Sequence, residues 1–280
     1  MSEAEAKAEA QPAAEMTGKL VQYRAQDGVA VLTLNDPPAN TYSYEMMGEL
    51  DRSILAARMD EKVHVIVITG RGEKFFSAGA NIKMLSEVTP EFKYFFCLHA
   101  NETLSRLEQT PKLVIAALNG HTVGGGLEIA LAADIRLARK GAGKMGLPEV
   151  TLGVLPGTGG TQRLVRLVGK SRAIELMATG DLFDFETGRE LGLVNRIYEA
   201  ETGEQFTEQV LEYARQFTLP DKAARAVGRI KRSVQSGAEI PFESGLALER
   251  ELQQQLFQSE DAREGLDAYV QKRKPQFKGK

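Results

Sequence analysis

Ala116-Ala117-Leu118-Asn119-Gly120-His121-Thr122-Val123-Gly124-Gly125-Gly126-Leu127-Glu128-Ile129-Ala130-Leu131-Ala132-Ala133-Asp134 is the stretch around which the rest of the chain falls into order. The apolar run Leu113-Val114-Ile115-Ala116-Ala117-Leu118 is short and partly β-branched, which predicts a buried strand. The run after the glycines is rich in Leu and Ala, which predicts a buried helix. The three glycines then mark a strand-to-helix turn. Such a turn leaves backbone N–H groups without intrahelical acceptors at the positive end of a helix dipole, and a ligand oxygen can approach them where no side chain intervenes. That is a candidate anion or oxyanion site. Phosphate loops and tight packing use the same kind of turn, so alone it does not choose between them.

Glu128 follows Gly125 at a spacing that shares a helix face, so its carboxylate and an oxyanion-binding amide point into one space. Its neighbours are Leu127, Ile129, Ala130 and Leu131, and a carboxylate buried in such company needs a partner or a task. The plainer alternative is a first-turn glutamate that complements the helix dipole. A second stretch bears on the choice: Met145-Gly146-Leu147-Pro148-Glu149-Val150-Thr151-Leu152-Gly153-Val154-Leu155-Pro156-Gly157-Thr158-Gly159-Gly160-Thr161-Gln162-Arg163. Another glutamate sits here in a mostly apolar run, ahead of a Pro-Gly turn that leads into a new helical pattern. Two carboxylates in apolar surroundings, close to free amides, form an acid/base pair for chemistry beside a polarised carbonyl.

At these residues the chain resembles the crotonase (enoyl-CoA hydratase/isomerase) superfamily. The resemblance lies in Gly124-Gly125-Gly126-Leu127-Glu128, in Pro148-Glu149, and in Pro156-Gly157-Thr158-Gly159-Gly160-Thr161-Gln162-Arg163, and it runs from about Lys19 to the C-terminus. It implies an α/β fold, a crotonase-like spiral of ββα units with a helical C-terminal trimerisation region. It also implies an oxyanion hole from the amides of Ala80 and Gly125, with Glu128 and Glu149 as the catalytic carboxylates. CoA and substrate contacts are implied at Ala39, Ala78, Asn81, Ile82, Lys83, Pro148 and Gly157. Tyr269 and Lys272 are implied to reach a neighbouring subunit's CoA. The family usually carries Asp where this chain has Asn81, which removes a charge there but leaves the backbone geometry alone.

The chain has 280 residues, 42% of them hydrophobic, with a formal net charge of −3. That is enough apolar material for one large α/β domain or a domain with an appendage. The acidic balance argues against a general affinity for nucleic acid or an anionic membrane, and no apolar window is long enough for a membrane span. Cys97 is the single cysteine, so no intrachain disulfide and no cysteine metal cluster can form; within Tyr94-Phe95-Phe96-Cys97-Leu98 it reads as a buried structural thiol. His64, His99 and His121 show no ligand spacing, so no metal is expected; His64 and His99 read as packing residues and His121 has no defined role. The N-terminal run lacks the features of a secretory signal or transit peptide, so a cytoplasmic enzyme is expected.

Three divisions are expected: a disordered tail over residues 1–17, an α/β core over 18–200, and a helical region over 201–280. Within the core, Asp27-Gly28 between two apolar runs predicts a hairpin, Glu45–Arg58 a helix and Val63–Ile68 a central strand. Ser77-Ala78-Gly79-Ala80 repeats the physics of the glycine turn, small residues that open a helix after a strand. Glu91–Glu108 predicts a long helix with an apolar stripe of Phe92, Phe95, Phe96, His99, Leu104 and Leu107. After Gln162 the patterns are helical apart from the strand-like Val194–Tyr198.

With both glutamates present, the resemblance implies hydration of a 2-enoyl-CoA thioester to the 3-hydroxyacyl-CoA, as in fatty acid β-oxidation, with no cofactor beyond the CoA of the substrate. A homotrimer or a homohexamer is the expected assembly. Alternatives on the same fold are a 3-enoyl-CoA isomerase, which needs one glutamate, a methylglutaconyl-CoA hydratase, or an acyl-CoA decarboxylase. An RNA-binding interaction protein on the same scaffold is the alternative of another class.

Overall fold

The computed structural model describes residues 18–280; the tail expected over residues 1–17 lies outside them. The chain opens with an antiparallel hairpin of β1 (Val21–Gln26) and β2 (Val29–Leu34). Asp27 and Gly28 form its two-residue turn with φ of 52° and 80°, which matches the right-handed twist of the strands. Helix α1 (Tyr44–Met59) is capped by Ser43, whose side chain accepts from the Met46 amide, and it buries Met46, Met47, Leu50 and Ile54.

From here the chain repeats one unit three times. A long strand is followed, across a tight corner, by a short strand and then by a helical turn. The units are β3 (Val65–Gly70), β4 (Phe75–Ser77) and α2 (Ile82–Glu87), which leads into α3 (Pro90–Glu108); β5 (Leu113–Leu118), β6 (His121–Val123) and α4 (Gly125–Leu131); and β7 (Ile135–Arg139), β8 (Lys144–Gly146) and a 3-10 turn over Glu149–Leu152. Helices α5 (Gly160–Val168) and α6 (Lys170–Thr179), strand β9 (Phe183–Asp184), helix α7 (Phe185–Glu190) and strand β10 (Arg196–Tyr198) follow. The long strands join the hairpin in a sheet of order β1-β2-β3-β5-β7-β10, parallel from β2 onward, and the short strands form a second sheet of order β4-β6-β8-β9. This is the crotonase-type α/β spiral that the resemblance implied.

Asn119 holds two successive corners together. Its side-chain oxygen accepts from the Gly70 amide at 3.1 Å, and its nitrogen donates to the carbonyls of Gly70 at 2.9 Å and Gly72 at 2.7 Å. Because the chain turns at Asn119-Gly120, the strand that delivers the glycine turn is β6, not the long run Leu113–Leu118 expected to do so.

Every residue of β3 is buried because both faces of its sheet are covered. Ile66, Ile68, Val114 and Ala116 face a cluster that includes residues of α1, α3 and α4. Val65, Val67, Ile115 and Leu137 pack with Phe206, Val210 and Ala214 of α8 (Gly203–Arg215). Burying a side chain the size of Phe206 stabilises by about 2 kcal/mol. Residue 200, where the core was expected to end, falls between β10 and α8. Helices α9 (Ala224–Gly237), α10 (Phe242–Phe257) and α11 (Glu260–Val270) complete the chain, with α10 packed on α9 and α11 on α10.

The apolar stripe expected on α3 needs correction. Phe96, Ala100, Thr103, Leu104 and Leu107 are the buried positions, and they follow the 3.6-residue period. Of the expected positions, Phe92 is 39% and Phe95 56% exposed and His99 is half-buried; Phe95 lies one residue off the stripe, with Tyr94 and Leu98 also outside.

Candidate active site

Helix α4 carries Glu128 into the interior, where it is 2% exposed. Its Oε1 accepts hydrogen bonds from the amides of Thr158 and Gly160, each at 2.7 Å. These amides lie at the start of α5, where N–H groups have no intrahelical acceptor and the dipole favours negative charge. Gly160 leaves the carboxylate its space, since a Cβ there would stand 3.0 Å from that same oxygen. Burial pushes the Glu128 carboxyl above the ordinary range, while the two amides pull it down without cancelling the shift.

Glu149 arrives from the 3-10 turn that follows Pro148. Its Oε2 is buried, and among the described residues no group donates to it. Its pKa is pushed up to about 7, first by burial and then by the charge of Glu128, so the two carboxylates share one electrostatic environment. Gly124, at φ 56°, makes room for it: a Cβ there would lie 3.0 Å from Glu149 Oε1.

Two strand ends converge beside these carboxylates. Tyr42 bridges to Ala80, donating its amide to the Gly79 carbonyl at 2.9 Å and accepting from the Asn81 amide at 3.0 Å. The Ala78 amide is taken by the Ala39 carbonyl at 2.9 Å, which ties the Asp36–Asn40 loop to this segment. Among the described residues the amides of Ala80 and Gly125 donate to no acceptor. Gly79, at φ 89°, lets the two turns come this close, because a Cβ there would stand 2.8 Å from the Gly125 nitrogen.

Asn81 is the N-cap of α2, its side chain accepting from the Met84 amide at 3.0 Å, a role that needs no negative charge. Ile82 and Lys83 follow it on the exposed first turn of that helix. Gly157 sits against α3: its carbonyl accepts from Asn101 at 3.4 Å, and a Cβ on it would lie 3.1 Å from Cys97 Sγ. Cys97, expected to be buried, is half-buried, because it lies one residue off the buried stripe of α3 and faces the Gly157 loop. Tyr269 and Lys272 are exposed at the end of α11, and the single chain does not bring them to the glutamates.

Sequence reasoning passed over three side chains here. Tyr42 is buried, its hydroxyl 3.0 Å from Thr158 Oγ1, its ring 5.9 Å from that of Phe96, and its pKa raised well above the ordinary value by burial. Thr158 thus links Tyr42 to the amide that holds Glu128. Lys93 stands with its Nζ 5.4 Å from the centre of the Phe96 ring. Tyr42 gave no signal in its own segment, since its link to Thr158 spans 116 positions of sequence. His121 also gains a role, its Nδ1 accepting from the Lys144 amide at 3.0 Å where β6 meets β8. Among the described residues no group of three or more His, Cys, Asp and Glu could hold a metal ion, and no helix is long and apolar enough to cross a membrane.

Residues 24–280 match the enoyl-CoA hydratase/isomerase family. The 2,3-dehydroadipyl-CoA hydratase of Escherichia coli (strain K12) is 37% identical, over 91% of this chain and 97% of its own. The short-chain-enoyl-CoA hydratase of Clostridium acetobutylicum is 37% identical, over 88% of this chain and 92% of its own. The crystal structure of an enoyl-CoA hydratase from Geobacillus kaustophilus HTA426 superimposes with a TM-score of 0.91 at 44% identity, covering 95% of this chain and 99% of that one. The chain belongs to the enoyl-CoA hydratase/isomerase family. It is an enzyme of that family, and these relatives are named for hydro-lyase chemistry.

Proposed function

We propose that this protein is an enoyl-CoA hydratase, adding water across the 2,3 double bond of a 2-enoyl-CoA thioester to give the 3-hydroxyacyl-CoA. The observation that carries the reading is the pairing of two undonated amides, Ala80 and Gly125, with two carboxylates from separate segments, Glu128 and Glu149. In the proposed reaction the thioester carbonyl accepts from both amides. Charge that develops on that oxygen as the double bond breaks is stabilised there, and each such donor contributes about 3 kcal/mol to lowering the barrier.

Water lies between the glutamates. Its oxygen bonds to C3 while one proton reaches C2, so the elements of one water are added in full and on one face. A Glu149 carboxyl with a pKa of about 7 can hold or release a proton near neutral pH, which suits it to deliver the proton to C2. Glu128, fixed by two amides, orients the water or takes the one proton it sheds, which balances the proton that Glu149 gives to C2 and leaves the hydroxyl on C3; the two groups titrate as a coupled pair. The Gly157 amide helps to fix the water. A 3-enoyl-CoA isomerase needs one carboxylate, so the presence of both favours the hydratase.

Ala39, Ala78, Asn81, Ile82, Lys83 and Pro148 are assigned to the CoA and thioester contacts, with no cofactor beyond the substrate's own CoA. Tyr269 and Lys272 complete a neighbouring subunit's CoA site in a homotrimer or homohexamer. Exposed apolar side chains on the final helices, among them Val234, Phe257, Leu266 and Val270, support such self-association. A place in cytoplasmic fatty acid β-oxidation accords with this chemistry. Two relatives at equal identity are named for different acyl groups, so kinship leaves the acyl group open.

The test is a panel of 2-enoyl-CoA esters followed by loss of the conjugated thioester absorbance, with Glu128→Gln and Glu149→Gln beside the native chain. Hydration by the native chain that both variants lose supports the reading. Near-native hydration by either variant overturns it.

A further inference from the structure

Lys93 lies on α3 at the spacing that places it above Phe96, one turn before the buried Phe96 and two before the buried Ala100. Its Nζ stands over the Phe96 ring, and that ring packs on Tyr42, whose hydroxyl reaches Thr158 beside Glu128. The ammonium is near enough to both Glu128 and Glu149 for its charge to pull each carboxyl down against burial. Among the described residues it nevertheless forms no ion pair within 4.0 Å. A cation with a ring beneath it and no ion-pair partner within 4.0 Å among the described residues thus stands in the field of both carboxylates of the proposed site.

Such a group acts differently on different acyl chains. An apolar tail passing Lys93 would strip water from the ammonium and offer nothing in return, whereas a carboxylate at the far end of the acyl chain would neutralise it. We infer that Lys93 is a specificity-determining residue, which directs the site toward acyl groups that carry a second, distal carboxylate, the 2-enedioyl-CoA thioesters. The inference rests on the hydratase reading and adds to it the class of acyl group.

The experiment compares 2-enedioyl-CoA esters of increasing length with uncharged 2-enoyl-CoA esters of the same length, in the native protein and in Lys93→Met and Lys93→Arg. The readout is the ratio of kcat/KM within each pair. At one length or more the native ratio should favour the carboxylate on the order of tenfold, the scale of one partly shielded charge pair. Lys93→Met should bring that ratio to one or below, and Lys93→Arg should keep it.

A native ratio near one at every length overturns the inference, as does a ratio that Lys93→Met leaves unchanged. A lysine that only tempered the two glutamates would slow both esters by the same factor and leave the ratio fixed. The two readings fail separately: no hydration of any ester sinks the hydratase assignment, while hydration without charge preference sinks only this one.

Discussion

Glu128 and Glu149 act on each other electrostatically but are hydrogen-bonded in opposite ways: Oε1 of Glu128 takes two backbone amides at 2.7 Å each, and buried Oε2 of Glu149 takes none among the described residues. One carboxylate is fixed and the other is left with a free acceptor. Burial raises both; at Glu128 the two amides oppose it, while at Glu149 burial and then the charge of Glu128 outweigh its own amide and the charge of Lys93 and carry the pKa to about 7.

Stability should therefore depend on pH through Glu149. Its carboxyl rises from 4.5 in the unfolded chain to about 7 in the folded one, so the folded state binds this proton more tightly. That contribution is complete at pH values below 4.5 and is lost as pH climbs through about 7. Thermal melts of Glu149→Gln and the native chain should differ little under acid conditions, with the variant gaining relative to the native chain on the alkaline side. A gain confined to acid pH would contradict the sign.

Hydration should collapse when either carboxylate becomes an amide. Glu128→Gln and Glu149→Gln should each lower kcat by about 10²–10⁴-fold, the range of positioned acid/base groups, with far-UV dichroism unchanged. The assay is loss of enoyl thioester absorbance under saturating substrate.

Gly125→Ala should damage both fold and rate. A Cβ there would stand 2.2 Å from the Tyr42 hydroxyl, and Tyr42 is buried and cannot step aside. Overpacking of this kind costs about 1–3 kcal/mol, and the amide it displaces should lower kcat on the order of a hundredfold. Urea titration and the hydration assay read the two effects, and a variant that kept native values in both would exclude the tight crossing.

Lys231 and Asp134 offer a test remote from the site. They pair at 2.8 Å with side chains 5% and 12% exposed, and Lys112 contributes a carbonyl to the same ammonium. Burial drives both toward their neutral forms, Lys231 downward and Asp134 upward, so desolvation outweighs their attraction. Lys231→Met should cost about 3–5 kcal/mol in a denaturant titration by stranding the carboxylate, while pairing it with Asp134→Leu should recover much of the loss.

Much of the site was legible in the chain because it is made of local signals. Glycine turns, a glutamate in an apolar helix and a second glutamate before a Pro-Gly turn each follow from neighbours in sequence. The hairpin at Asp27-Gly28 is of the same kind, since its positive φ is satisfied within two residues. The α3 stripe departs from expectation at Phe92 and Phe95 because the helical period, not aromatic content, decides which side chains are buried.

What the sequence by itself determined was the set of local conformations and the chemical groups they carry: which segments are strands, where backbone amides go unpaired, and which carboxylates sit in apolar company. Only the tertiary structure decided which of those groups meet. The corner at Asn119 moved the glycine turn onto the second sheet, the start of α5 took hold of Glu128 across 30 residues, and α3 set Lys93 over the Phe96 ring, where its charge acts on both glutamates. The reason is physical: local propensity acts over a few residues, whereas burial and electrostatics act on whatever the packed chain brings within a few ångströms, regardless of separation along it.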